Sequence, residues 1–177
     1  MAEIPTLSSD QVAYFMDIAL AEAKRAGEIG EVPIGAVIVK DGQVIATGSN
    51  RREIDQEASS HAELLAINQA NQELGTWRLE NTALFVTLEP CLMCAGAIIN
   101  ARIPLVYYGA QDQKAGAVSS LYNVFEDERL NHQVKAYAGV KAEQSKALLK
   151  DFFQEIRQKQ KAKKQAAKEL KKLAESE

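Results

Sequence analysis

Residues 82–94 read TALFVTLEPCLMC, and this stretch decides the fold. Thr82 to Leu88 is apolar nearly throughout, the pattern of a central strand buried on both faces. Pro90 suits the first turn of a helix, which then runs on through Ile98 and Ile99. Downstream, PLVYYG (Pro104 to Gly109) predicts another strand, and Val134 to Ala138 a weak further one. Upstream, the β-branched IGAVIVK (Ile34 to Lys40) predicts a strand, Asp41-Gly42 a hairpin turn, and VIATG the return strand. Ser8-x-x-Gln11 has the form of a capping box, and Val12, Phe15, Met16, Ala19 and Ala23 follow at helical spacing. His61 to Glu73 is helical, with Leu64, Leu65, Ile67 and Leu74 in period, and a long helix starts near Ala142. Residues 49–60 read as a polar loop, and 110–132 as irregular with one short helix near Leu121. A hairpin followed by helix–strand–helix–strand makes an α/β chain, with helices covering both faces of a five-stranded mixed sheet.

The 177 residues suit one ordinary domain with a single core. A hydrophobic share of 46% and a charged share of 25% exclude a disordered chain, and no apolar run reaches transmembrane length. The start MAEIPTLSSD lacks the basic and apolar regions of a signal peptide, so the expected home is the cytoplasm. Two cysteines are too few for a disulfide scaffold; in a reducing compartment the pair Cys91 and Cys94 reads as metal-binding or redox-active. The net charge of −3 hides an asymmetry. Residues 155–172 carry eight Lys/Arg against Glu155 and Glu169, a local +6 on an acidic body. That suggests an anionic partner touched at one place, or simply a solvated helical tail.

His61-Ala62-Glu63 opens one predicted helix and Pro90-Cys91-Leu92-Met93-Cys94 opens the next. Positions two apart on a helix point to nearly opposite sides, so His61 and Glu63 can share a site only at the helix tip, where the sequence puts them. Cys91 and Cys94 are three apart and lie on one face, in a first turn whose free N–H groups favour thiolates. One His and two Cys suit tetrahedral zinc with its fourth position open to water, which is the form of a catalytic site. Zinc lowers the pKa of water toward ~7, and Glu63 is then placed to move its proton. The alternatives are a thioredoxin-like redox pair for Cys91 and Cys94, and a core or surface role for a lone His. It is the coincidence of the two motifs at helix starts that carries the metal reading. Nothing motif-like surrounds His132, the other histidine, which reads as structural.

His-Ala-Glu followed by Pro-Cys-x-x-Cys resembles the signature of the cytidine deaminase superfamily. Glu31-Val-Pro-Ile-Gly-Ala-Val, Ser49-Asn50-Arg51, residues 86–97, Tyr108-Gly-Ala-x-Asp112-x-Lys-x-Gly116 and Leu149-x-Asp-Phe-Phe153 further resemble the bacterial tRNA-specific adenosine deaminases. The similarity spans about residues 8–157 and fades in the basic tail. The resemblance implies a cytidine-deaminase-like three-layer α/β/α sandwich, with a deaminase domain over 1–157 and a basic helical extension over 158–177. It implies adenosine-to-inosine conversion at the wobble position of a tRNA anticodon, an arginine tRNA foremost, by a homodimer with one zinc ion per subunit. His61, Cys91 and Cys94 would be ligands, Glu63 the proton shuttle, and the Cys91 backbone N–H a support for the attacking hydroxide. Asn50, Ala62 and Asp112 would contact the nucleotide; Phe152, Phe153, Arg157 and Lys159 are candidate RNA contacts. Without the resemblance, Asn50 reads as a turn residue, Asp112 as a loop cap, and Phe152 or Phe153 as core.

The nearest rival is a zinc deaminase of a free base or nucleotide, of the guanine, cytosine or deoxycytidylate type. Guanine deaminases of that kind usually carry Cys-Pro-x-Cys, whereas this chain has Cys-Leu-Met-Cys. A non-catalytic zinc-stabilised RNA-binding module is a second rival, though a structural zinc needs no adjacent Glu63. A thiol oxidoreductase is the third.

Overall fold

A computed structural model describes residues 6–174. The elements run α1 (Ser9–Glu28), β1 (Gly35–Lys40), β2 (Gln43–Ser49), α2 (Arg52–Asp55), α3 (Ala62–Leu74), β3 (Thr82–Leu88), α4 (Leu92–Asn100), β4 (Leu105–Ala110), β5 (Lys135–Tyr137) and α5 (Ala142–Ala174). They form one five-stranded sheet of order β2-β1-β3-β4-β5. The β1–β2 and β1–β3 pairs are antiparallel, and β3–β4 and β4–β5 are parallel, so the sheet is mixed as expected.

Alternation along the central strands splits the core in two. Ala36, Ile38, Leu84 and Val86 face one side, under α3 and α4 through Ala62, Ala66, Ala70 and Ile98. Val37, Val39, Ala83 and Phe85 face the other, under α1 through Phe15, Met16 and Ala19, with Leu148 of α5 beside them. This is the three-layer sandwich. The capping box on α1 is formed: Ser8 Oγ accepts from the Gln11 N–H, and the Gln11 side chain accepts from the Ser8 N–H.

On α3, Ile67 and Glu63 turn inward together with three small residues. Ala62, Ala66 and Ala70 are buried, while Leu64 and Leu65 are only half-buried. The alanines let α3 lie directly on β2, so closely that a Cβ on Gly48 would come within 2.1 Å of the Ala62 carbonyl. The helix that opens with His61 and Glu63 is thereby held against the sheet.

Local differences from the sequence expectation are small. The 49–60 loop contains α2, a four-residue helix too short to show any period. The predicted short helix near Leu121 lies slightly later, as a 3₁₀ turn at Val124–Glu126. Pro90 stands outside α4, before its cap, rather than in its first turn. The long helix α5 is continuous from Ala142 to Ala174; the rest of the expected extension, 175–177, lies outside the described residues. No described helix is long and apolar enough to cross a membrane.

Candidate active site

His61 and Cys91 are both N-cap residues, of α3 and α4. Each has extended backbone geometry, which swings its side chain over the helix end rather than along the barrel. Cys94 sits three residues on, in the first turn of α4, and is fully buried. The helix tips meet: His61 Nδ1 lies 3.7 Å from Cys91 Sγ and 3.6 Å from Cys94 Sγ, and the three ligand atoms all fall within 4.8 Å of one another. A tetrahedral ion with bonds of about 2.0–2.3 Å needs donors about 3.6 Å apart, so this donor set fits zinc. It is the one such His/Cys/acid group among the described residues.

The electrostatics of the cluster favour a thiolate at Cys91. Hydrogen bonds from Cys94 and His61 hold the Cys91 thiol down to about 4, while Cys94 is driven upward by the neighbouring Cys91 and by burial. Glu63, only 4% exposed, has its carboxyl pushed up to about 7, chiefly by burial.

The cluster opens into a cleft of about 450 Å³. His61, Ala62, Glu63 and Cys91 form its inner wall, and Asn50, Asp112 and Phe153 also line it. These residues come from five separate segments, so the structure brings together most of the residues the sequence singled out. Phe152, Arg157 and Lys159 do not line the cleft. Phe152 is half-buried and packs edge-on against Phe153, 5.4 Å away between ring centres. Lys159 pairs with Glu155 at 2.6 Å.

The cleft residues are tied by partners that sequence reasoning did not single out. Asn50, 6% exposed, donates its amide to Glu31 Oε2 and to the Val32 carbonyl, both at 3.3 Å. Glu31, 1% exposed, also accepts from the Ile54 N–H at 2.6 Å, fastening α2 to the same point. Asp112 caps its own loop through Oδ1, accepting from the N–H groups of Lys114 and Ala115, while its backbone N–H donates to Glu89. Glu89 is the larger knot. Its Oε1 accepts from the N–H groups of Val118, Ser119 and Ser120 at 2.7–3.0 Å, and its Oε2 accepts from the Asp112 N–H and the Ser120 hydroxyl. One carboxylate, two residues before Cys91, thus anchors the entire 112–120 loop to the metal-binding helix. These bonds outweigh burial and set the Glu89 carboxyl below its ordinary range. Both acids lie in stretches that carry the family resemblance, Glu31 at the head of one and Glu89 within residues 86–97, but nothing in either stretch marks the backbone N–H groups they accept from. His132 stands apart from this cleft: its Nε2–H donates to the Ile103 carbonyl at 2.8 Å, a structural contact.

The profile of the MafB19-like deaminases matches residues 9–157. The chain belongs to that deaminase family. Among its relatives, the tRNA-specific adenosine deaminase of Streptococcus pyogenes serotype M1 is 49% identical over 92% of this chain and 95% of its own length. That of Bacillus subtilis strain 168 is 49% identical over 86% of this chain and 94% of its own. A solved structure from work on A-to-I editing by tRNA:A34 deaminases at the wobble position superposes with a TM-score of 0.74 at 48% identity, covering 77% of this chain and 99% of that one. A guanine deaminase from Bacillus subtilis is more distant, with a TM-score of 0.57 at 32% identity over 74% of this chain and 84% of its own.

Proposed function

We propose that this chain converts adenosine to inosine at the wobble position of a tRNA anticodon, an arginine tRNA foremost, as a cytoplasmic homodimer with one zinc ion per subunit. The observation that carries the reading is Glu63, buried beside the His61–Cys91–Cys94 cluster and facing a cleft wide enough for a purine nucleotide. Relatives at 49% identity that act on tRNA adenosine support the substrate, and Cys-Leu-Met-Cys rather than Cys-Pro-x-Cys separates the chain from free-guanine deaminases.

His61, Cys91 and Cys94 would hold the metal, which supplies Lewis acidity to ionise water near neutral pH. Glu63 moves the protons: it takes one from the attacking water and delivers protons to the ring nitrogen and to the departing amine, so that ammonia leaves. Burial suits it to this task, because it raises the carboxyl above its ordinary range and so makes it a better proton acceptor. Asn50, held by Glu31, the Ala62 backbone and the Asp112 loop position the unstacked nucleotide, and Phe153 offers a ring at the cleft mouth. An anticodon loop is already single-stranded, so exposing the base costs little. The exposed Leu92, Met93, Leu121 and Tyr122 gather near the Cys91–Gly116 bridge and support self-association of this face.

Incubating the zinc-loaded protein with tRNA and sequencing the anticodon tests the reading, with adenosine-to-inosine change expected at the wobble position alone. Deamination confined to free bases or nucleosides would instead favour the small-molecule alternative. Sedimentation of the same sample reports the dimer.

A further inference from the structure

Helix α5 has two halves with different surroundings. From Ser145 to Ile156 it packs on the body through Ser145, Leu148, Leu149, Phe152 and Ile156. From Arg157 to Lys172 every residue is exposed, so this half stands clear of the domain. Charges that serve only solubility would be scattered round such a helix. Here five of the eight basic residues of 155–172 line one side together: Arg157, Lys161, Lys164, Lys168 and Lys172, with Gln160 and Gln165 between them. Ala162, Ala166 and Leu170 fall on the opposite side by helical spacing.

The position of the stripe matters as much as its charge. Phe153 lines the cleft mouth, and Arg157, Lys161, Lys164 and Lys168 follow it at four, eight, eleven and fifteen residues. Those intervals keep them on one face of the helix. The stripe therefore leads straight out from the cleft for about 22 Å at 1.5 Å per residue. Among the described residues, none of these four cations forms an ion pair, whereas the off-stripe Lys159 is neutralised by Glu155. Glu169 is the one acid along the side, and Gln165 donates to it at 3.5 Å.

We propose that Arg157, Lys161, Lys164 and Lys168 form a docking track for the phosphate backbone of the tRNA stem behind the loop that enters the cleft. The proposal rests on the tRNA reading above. A row of unpaired cations collinear with the site fits a polyanion that begins in the cleft and continues outward. An anionic membrane would need a face of large apolar residues, and by helical spacing the opposite side instead sets Lys159 and Lys163 among its alanines and Leu170.

The test compares the zinc-loaded full chain with a variant carrying Arg157→Gln, Lys161→Gln, Lys164→Gln and Lys168→Gln, using full-length tRNA, with helicity checked by circular dichroism. The expected result is a roughly ten-fold rise in KM with kcat within about two-fold, and a slope of log affinity against log salt shallower by about 3, as four lost phosphate contacts require. Lys164→Gln alone should raise KM, while Lys163→Gln, the same charge change about 100° round the helix, should not. Unchanged KM and salt slope in the fourfold variant, or equal effects of Lys163→Gln and Lys164→Gln, would overturn the track while leaving tRNA deamination intact. If the wild type leaves tRNA unmodified, the deamination reading falls, and direct tRNA binding by the same proteins decides the track. Binding to anionic lipid vesicles, lost in the fourfold variant while tRNA binding is kept, would also overturn it.

Discussion

Glu89 and Gly116 fit against each other only because Gly116 has no side chain: a Cβ there would lie 2.4 Å from the Glu89 carboxylate. The same glycine bridges to Cys91 in the backbone, so loop, carboxylate and metal ligand form one unit. Gly116→Ala should force the 112–120 loop off Glu89 and lower kcat/KM at least about ten-fold, measured with zinc content to show that the ligands remain. Glu89→Gln keeps the size but offers one acceptor oxygen where two are used, leaving buried N–H groups unpaired at about 1–3 kcal/mol each. The melting temperature should fall by roughly 5–10 °C. A variant as stable as the wild type would show that the loop has other anchors.

Replacing Glu63 by Gln separates binding from chemistry. Gln has nearly the same shape but cannot carry the proton, so turnover should drop by about 10²-fold or more. Zinc content and tRNA affinity should stay close to wild type. Retained activity would remove Glu63 from the mechanism.

Stripping the metal should make Cys91 the reactive thiol. Its thiolate persists well below neutrality because its pKa sits near 4, whereas the Cys94 thiol is raised and buried. With iodoacetamide at pH 6, mass spectrometry should find Cys91 alkylated first, at a rate that changes little up to pH 8. Zinc should block the reaction. Preferential labelling of Cys94 would contradict the assigned polarity of the pair.

Glu31→Gln tests the support behind Asn50. The carboxylate holds both the Asn50 amide and the N–H that fastens α2, and a neutral amide weakens each bond. KM for tRNA should rise several-fold with a smaller change in kcat, because the carboxylate positions a nucleotide contact and takes no part in proton transfer. Asn50→Ala should give a similar KM effect, and combining the two should add little.

The features legible in the sequence are those written locally. Apolar Thr82–Leu88 declares a buried strand, and His61 and Cys91 declare themselves because each begins a helix. What escaped notice depends on partners far along the chain. Glu89 binds residues 23 to 31 positions away, and Glu31 binds Asn50 and Ile54 at 19 and 23. An isolated acid carries no mark of such service. Four-residue α2 is too short for a period, and Lys159 looks like its neighbour Arg157 until the helix turns it toward Glu155.

The undocked half of α5 also has a consequence for how the molecule comes to order. Sixteen mostly polar residues are near the length at which an isolated helix is marginal in water, because starting the first turn is costly while extending an existing one is not. The packed turns from Ser145 to Ile156 provide that start, and the free half then propagates from them. Severed from the domain, residues 157–174 would be expected to populate mostly coil. The spacing and direction of the cations are therefore inherited from the globular body, and a lesion at Leu148 or Phe152 would disperse a charge pattern lying tens of ångströms away.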